Sequence, residues 1–272
     1  MSCFQVMIFT EDKQSLSKIK ILYKKRALIL ESKNEERTLV ISDLHIGFEE
    51  KFRASGVNLK PDIDSLLNEV NSTLEEYNVR SLLINGDVKS GTDRISSYEW
   101  ENVPKFFENI SSNCKVALIP GNHDGGIEHL IPKRVELLNS SGTMIGGNLV
   151  MHGHTNPLPK FSNCKRLIIG HVHPIFQKSG SPLSGQPLWI SLRVPRNDVF
   201  KEALTENPKD LELIIMPSFN PSLVISGVAL DSARQERKIA PILRHLNQVE
   251  KGMVFTIAGE LIGDETLIDQ VL

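Results

Sequence analysis

Five short polar clusters in this sequence combine residue types that could do chemistry together. They are "SDLHIG" with Asp43 and His45, "NGDVKSG" with Asp87, "GNHD" with Asn122 and His123, "MHGH" with His152 and His154, and "GHVH" with His171 and His173. Gathered at one place, carboxylate, amide and imidazole groups form an oxygen- and nitrogen-rich donor set of the kind that divalent cations accept. Taken singly, each cluster has a plainer reading. A lone D-x-H is weak, and "NGD" alone is a turn, because Asn and Gly tolerate positive φ. "HGH" and "HVH" are stronger, because alternate histidines point the same way if the strand continues past its paired region, although an isolated pair can be a plain surface turn. The ordered set is different. Six of the eight histidines fall in these clusters, each cluster directly after an apolar run, and chance would need five coincidences.

Positioning these groups requires strands that end where the clusters begin. Apolar runs predict strands over Thr38–Ser42, Ser81–Ile84, Lys115–Ile119, Asn148–Met151, Arg166–Ile169, Leu188–Ser191 and Glu212–Met216. A helix opens at "KPDID": Pro61 suits a first-turn position, and Ile63, Leu66, Leu67, Val70 and Leu74 recur at helical spacing. A second helix is expected within residues 96–110, with Pro104 starting or kinking it. Strand–helix–strand alternation implies a parallel sheet with right-handed crossovers, and ligands of such sheets bind beyond the carboxyl ends of the strands. After residue 143 strands dominate, broken by "SGSPLSGQP" at 179–187, which implies a second sheet packed on the first. The tail from Asp231, with a helix after Pro241 and a strand near Met253–Ile257, is expected to wrap the body.

The bulk numbers set limits. At 272 residues, 40% hydrophobic and 24% charged, the chain can bury a sizeable core. It has no long linker, low-complexity tract or internal repeat, so residues 1–272 read as one domain, with a motif core at 38–175 and a wrap at 231–272. A formal net charge of −2 excludes coating nucleic acid through a global positive field and leaves room for a local basic groove. Cys3, Cys114 and Cys164 lack CxxC spacing, which argues against a disulfide framework or a thiolate zinc site and for a reducing compartment. "MSCFQVMIFTEDK" has no basic leader with a long apolar segment. The uncharged run from Leu213 to Leu230 is broken by Pro217, Asn220 and Pro221, a poor membrane span. A cytoplasmic protein without membrane contact is expected.

In order and spacing the five clusters resemble the calcineurin-like metallophosphoesterase family, whose pattern is D-x-H, G-D, G-N-H-[D/E], H and G-H-x-H, across residues 38–175. Within it, "SDLHIGFEEKFRASGV" and "PSFNPSL" look most like the SbcD-related and DNA-ligase-associated phosphoesterases. The resemblance implies an α/β fold, a four-layer α/β/β/α sandwich of two packed mixed sheets with the active site at the strand ends. It implies two divalent metal ions bridged by Asp87, one held by Asp43, His45 and His173, the other by Asn122, His152 and His171. Mn2+ is the first expectation, following the relatives, with Fe2+ or Zn2+ as alternatives. A shared carboxylate offsets the repulsion of ions roughly 3.5–4 Å apart, and a water or hydroxide between them, its pKa lowered, attacks phosphorus in line. His123 is then the leaving-group acid, a role worth ~10²–10⁴-fold. Asn122 and His154 are the candidates for substrate contact. Asp124 has two readings, holding the loop or a ring in place, or capping the following segment.

The sequence departs from the family at one functional position. Many members read G-D-x-x-[D/H], the last residue supporting the acid, and here Ser90 stands in its place. A hydroxyl cannot stabilise an imidazolium as a carboxylate does. The absent D-R-G counts against a phosphoprotein substrate. The expected function is a dinuclear-metal phosphodiesterase acting on phosphate esters, nucleic acid or nucleotide among them. The alternatives are a phosphomonoesterase, or a non-catalytic scaffold of the kind that the phosphoesterase-like subunit of retromer resembles; the intact ligand set and His123 speak against the scaffold. A DNA-repair helicase or ligase and a second copy of the chain are the expected partners. Lys89, Arg53, Arg193 and Arg196 are weighed as phosphate clamps, with solvated surface as the plainer reading, and "KIKILYKKR" (18–26) reads as a strand's exposed edge or face, not a nucleic-acid arm.

Overall fold

Side chains alternate between the two faces of a strand, and in this chain both faces are apolar. In β3 (Arg37–Ile41), Leu39 and Ile41 turn one way and Val40 the other. β4 (Ser81–Asn85) repeats the pattern with Leu82 and Ile84 against Leu83, and β9 (Arg166–Ile169) with Leu167 and Ile169 against Ile168. Strands apolar on both faces must be covered on both, so a layered sandwich follows.

The computed structural model of the chain describes residues 18–32, 34, 36–50, 56, 63–178, 180–200, 210–224, 240–246, 249–267 and 271. One sheet orders β1 (Lys18–Ile21), β2 (Leu28–Glu31), β3, β4, β5 (Lys115–Ile119) and β6 (Glu136–Leu137); its first three strands are antiparallel, and β3 to β6 run parallel. The second comprises β7 (Thr143–Ile145), β8 (Asn148–Val150), β9, β10 (Leu188–Val194), β11 (Leu211–Ile215), β12 (Lys251–Thr256) and β13 (Leu261–Asp264). Its spatial order is β13-β12-β10-β11-β9-β8-β7, with β8, β9 and β11 parallel. Both sheets are mixed, as expected, and they pack face to face. Val40, Leu83 and Ile119 of the first meet Val150, Ile168, Trp189, Ile214 and Phe255 of the second in one buried layer.

The outer face of the first sheet is covered by α1 (Ile63–Glu76) and α2 (Ser97–Ile110). Leu66, Val70 and Leu74 form the buried stripe of α1, while Pro61 lies outside the described residues. Pro104 neither starts α2 nor ends it. Ser96 caps the helix, its hydroxyl accepting from Glu99 N while the Glu99 carboxylate accepts from Ser96 N, and the proline sits in the interior. The carbonyl that Pro104 leaves unpaired belongs to exposed Trp100, where water can serve it. On the second sheet the covering layer is thin among the described residues. It comprises the four-residue α3 (Arg196–Val199), short turns, and apolar groups such as Phe176, Phe200, Ala240 and Ile242.

After Pro241 the chain makes a three-residue 3-10 turn at Leu243–His245, not a longer helix, and residues 231–239 of the expected wrap lie outside the described residues. "KIKI" is an edge strand with Lys18 exposed, as read from sequence. Among the described residues no helix is long and apolar enough to cross a membrane.

Candidate metal centre

The parallel strands β3, β4, β5, β8 and β9 end on one side of the sandwich, and the five clusters follow their ends. Asp43, His45 and His173 bring ligand atoms within 4.8 Å of one another, as do Asp87, His152 and His171. A third group, His45, Asp87 and His123, joins them, so Asp87 stands between the two sets. Its Oδ2 lies 3.2 Å from His152 Nε2 and 3.5 Å from His45 Nε2, and His173 Nε2 lies 2.9 Å from Asp43 Oδ1. Asn122 is exposed at the rim. His154 is half-buried, its ring 5.3 Å from that of His152, and its buried Nδ1 has no hydrogen-bond partner among the described residues.

The side chains do not converge through strand pleat. Each strand has ended before these Asp and His residues, and Asp43, His45, Asp87, His171 and His173 all have positive φ, between 42° and 65°. This corrects the expectation that the alternate histidines share a face because the strand continues. Left-handed backbone at successive polar residues curls the chain so that Asp43 and His45, or His171 and His173, face one point. Among the described residues only Lys24 and Asn78 are the other non-glycine cases. Such conformations cost on the order of 1 kcal/mol each and gather at functional sites.

Glycines give the carboxylates and rings their space. A methyl group at Gly86 would collide with the His152 ring, at Gly121 with Asp87, and at Gly170 with Ser42 and Asp43. Around them, backbone groups fix orientation. Asn85 O accepts from His152 Nδ1 at 2.9 Å; because a carbonyl can only accept, Nδ1 carries the proton and Nε2 faces Asp87. His123 is held likewise: Nδ1 donates to Ser90 O at 2.8 Å, and its backbone N–H donates to Asp87 Oδ1 at 2.9 Å. Asp124 accepts from Val88, Lys89 and Gly121 N–H groups at 2.8, 3.3 and 2.8 Å, so its role is to lash the "GNHD" loop to the "GDVK" loop. "PSFNPSL" braces the first cluster from the second sheet: Phe219 N donates to Ser42 O at 2.7 Å and Asn220 Nδ2 to Leu44 O at 2.8 Å.

Of the basic residues weighed as clamps, the three that are described, Lys89, Arg193 and Arg196, are engaged elsewhere. Lys89 is fully buried, and its ammonium donates to Gly91 O at 2.5 Å. Arg193 pairs in register with Glu212, and Glu212 with Arg166, at the opposite ends of the strands. Arg196 donates to the Ser162 and Cys164 carbonyls at 2.5 and 2.7 Å. Arg53 lies outside the described residues. Three braces were not foreseen: Ser42, Asn85 and Glu99. Only Glu99 had a signal in the sequence, the S-x-x-E of a capping box at 96–99.

Burial and charge set the protonation of the cluster. Burial alone would raise the Asp87 carboxyl, but His152, His45 and His123 outweigh it and hold Asp87 well below the usual carboxylate range. Asp43, buried too, is brought down to about 2 by His173 and His152. Burial, reinforced by His173, pushes His45 down to about 3; burial and His152 push His171 down to about 4. His152 goes the other way: burial opposes its charge, but Asp87 and Asp43 raise it to about 9. A pH dependence of stability follows for the metal-free protein. His45 and His171 have depressed values, so their contribution is present above the unfolded value of 6.5 and is lost as pH falls toward 4 and 3. His152 has a raised value, so its contribution is present below 6.5 and is lost as pH rises through 9. Urea midpoints of metal-free protein are therefore expected to peak near neutral pH, with flanks approaching ~1 kcal/mol per pH unit; a monotonic rise from pH 5 to 9 would contradict this balance.

The donor set fits divalent cations. The Nε2 atoms of His45, His152 and His173 are buried without a hydrogen bond among the described residues, although carboxylate oxygens lie close to each. Cations placed among them would satisfy nitrogen and oxygen together, and no cysteine stands among the clustered groups.

Comparison with known proteins agrees with this geometry. The family model for calcineurin-like phosphoesterases matches residues 36–227, which contain every clustered residue. Among solved structures, the crystal structure of the Pseudomonas putida nuclease MPE is similar with a TM-score of 0.51 and 18% sequence identity, covering 79% of this chain and 88% of that one. At that identity the likeness is one of fold. No curated protein is significantly similar in sequence.

Proposed function

The chain belongs to the calcineurin-like phosphoesterase family, and from that membership we propose that it is a phosphodiesterase with a dinuclear divalent-metal centre, acting on nucleic acid or a nucleotide. The observation that carries this reading is the buried Asp87 carboxylate shared by the His45–His123 and His152–His171 groups. Asp43, His45 and His173 would hold one ion, Asn122, His152 and His171 the other, and Asp87 both. Mn2+ suits this oxygen- and nitrogen-rich set, with Fe2+ and Zn2+ next. When bound, the ions supply Lewis acidity and water of lowered pKa. Asn85 holds His152 in the tautomer that presents Nε2. His123, as an imidazolium whose Nδ1–H donates to Ser90 O, gives its Nε2 proton to the leaving oxygen and is left as the neutral Nδ1–H tautomer that the carbonyl favours. His154, half-buried beside the His152 ring, contacts a phosphate oxygen.

A nucleic-acid substrate is supported by the resemblance of "SDLHIGFEEKFRASGV" and "PSFNPSL" to the SbcD-related and DNA-ligase-associated branch, and by a fold shared with a protein described as a nuclease. A repair helicase or ligase partner in the cytoplasm belongs to the same reading. The test is hydrolysis by Mn2+-loaded protein of bis-p-nitrophenyl phosphate and p-nitrophenyl phosphate in parallel. Faster cleavage of the diester is expected. Cleavage of the monoester alone makes the chain a phosphomonoesterase, and cleavage of neither favours the scaffold.

A further inference from the structure

The fifth residue of "GDVKS", where relatives carry an acid or histidine, is Ser90, and it meets His123 through its carbonyl, 2.8 Å from Nδ1. A carbonyl can orient an imidazole only if it is itself held. The side chain that holds it lies in another element: Glu99, in the first turn of α2, only 1% exposed. Glu99 Oε1 accepts from Ser90 N at 2.8 Å and Gly91 N at 2.7 Å, and Oε2 accepts from Ser96 N at 2.7 Å. The space is cut to fit, since a methyl group at Gly91 would lie 3.3 Å from Glu99 Oε2, and one at Gly47 3.4 Å from its Cγ. Ser90 N also reaches Ile46 O at 3.2 Å, and the buried Lys89 ammonium donates to Gly91 O. Without Glu99 these flanking contacts keep the loop attached, but Gly91 N, the amide of the peptide that carries the Ser90 carbonyl, loses its carboxylate acceptor.

We propose that Glu99 is a positioning residue for His123, acting through the Ser90–Gly91 amides to hold the Ser90 carbonyl that fixes the His123 tautomer and the aim of its Nε2. A buried carboxylate on the adjoining helix thus does at one remove what the missing acid does directly. This rests on the reading of His123 as the leaving-group acid.

The experiment compares Mn2+-loaded wild type with Glu99→Ala, Glu99→Gln, Ser96→Ala, His123→Ala and the Glu99→Ala/His123→Ala double variant. The substrates are two diesters that differ only in leaving group, p-nitrophenyl and phenyl. Glu99→Ala is expected to slow the phenyl ester by about 10²-fold, the scale of a misaimed catalytic group, while changing the p-nitrophenyl ester far less. The double variant should be no slower on the phenyl ester than His123→Ala, because the two residues act as one unit. Glu99→Gln, whose Oε1 still accepts from Ser90 and Gly91, should keep the wild-type leaving-group pattern. Ser96→Ala, which removes only the hydroxyl cap, should keep it too. Independently of turnover, nitrogen NMR of the metal-free protein should find His123 protonated at Nδ1 in wild type and Glu99→Gln, and shifted toward the other tautomer in Glu99→Ala.

Equal slowing of both esters by Glu99→Ala, additive losses in the double variant, an unchanged His123 tautomer, or the same pattern from Ser96→Ala would each reduce Glu99 to a helix cap and overturn the relay alone. If His123→Ala itself slows both esters equally, the leaving-group reading of His123 falls, and the relay falls with it.

Discussion

Asp87→Asn is expected to lower Mn2+-dependent diester hydrolysis by at least ~10³-fold, the scale of losing one electrostatic group at a reacting centre, and to leave fewer than two ions bound per chain. Asp87 is the carboxylate common to both halves of the cluster, so no neighbouring acid can stand in for it. The change is also a clean one for the fold. An asparagine oxygen can still accept from His123 N, which now donates to Asp87 Oδ1 at 2.9 Å. His152, raised to about 9 mainly against burial by Asp87, can shed its proton when that charge is gone. The variant should stay folded at neutral pH, which separates it from changes that unfold a buried pair. Metal content by elemental analysis after dialysis, measured beside turnover, checks both halves. Two ions retained with near-wild-type turnover would end the bridging assignment.

Gly121→Ala should be nearly as damaging, and Gly125→Ala almost silent, though both lie in "GNHDGG". A methyl group at Gly121 would strike Asp87 Oδ1 and lie 2.5 Å from Asp87 N, while the nearest atom to one at Gly125 is 4.0 Å away. Gly121 cannot retreat, because its N–H is held by Asp124 Oδ2 at 2.8 Å. Overpacking in a fixed core costs about 1–3 kcal/mol, and here the displaced atoms are those of the shared carboxylate, so turnover should fall with stability. Urea midpoints and diester rates of the two variants test this. Equal behaviour would mean that the loop adapts, and that the space around Asp87 is not fixed by its neighbours.

The order of the clusters and the apolar runs before them made the sheets and the chemistry legible, because a strand apolar on both faces has few places to go. Lys115–Ile119 and Arg166–Ile169 appear as read. What stayed hidden was conformation at single residues. Nothing in "GHVH" says that both histidines adopt left-handed backbone, and a pleat would serve the same spacing. Pro104 does not start α2 because a capping box earlier in the sequence, at 96–99, sets its start, a contest between local signals that burial of Val103, Phe106 and Phe107 helps decide. Strands as short as β6 and β7 carry too little periodicity to detect. Lys89 and Arg196 looked like surface cations because a long side chain can bury its stem and satisfy its charge on carbonyls, which composition does not reveal.

The five left-handed residues of the cluster also bear on how such a site persists under mutation. At each, glycine would relieve backbone strain, so folding selection alone pulls these positions away from Asp and His. A lineage that kept the sandwich but no longer used the cluster would be expected to drift there toward Gly or Asn, gaining stability as it lost ligands. This chain retains Asp or His at all five. Their side chains stand there against the preference of the backbone, which is what the proposed metal centre would require.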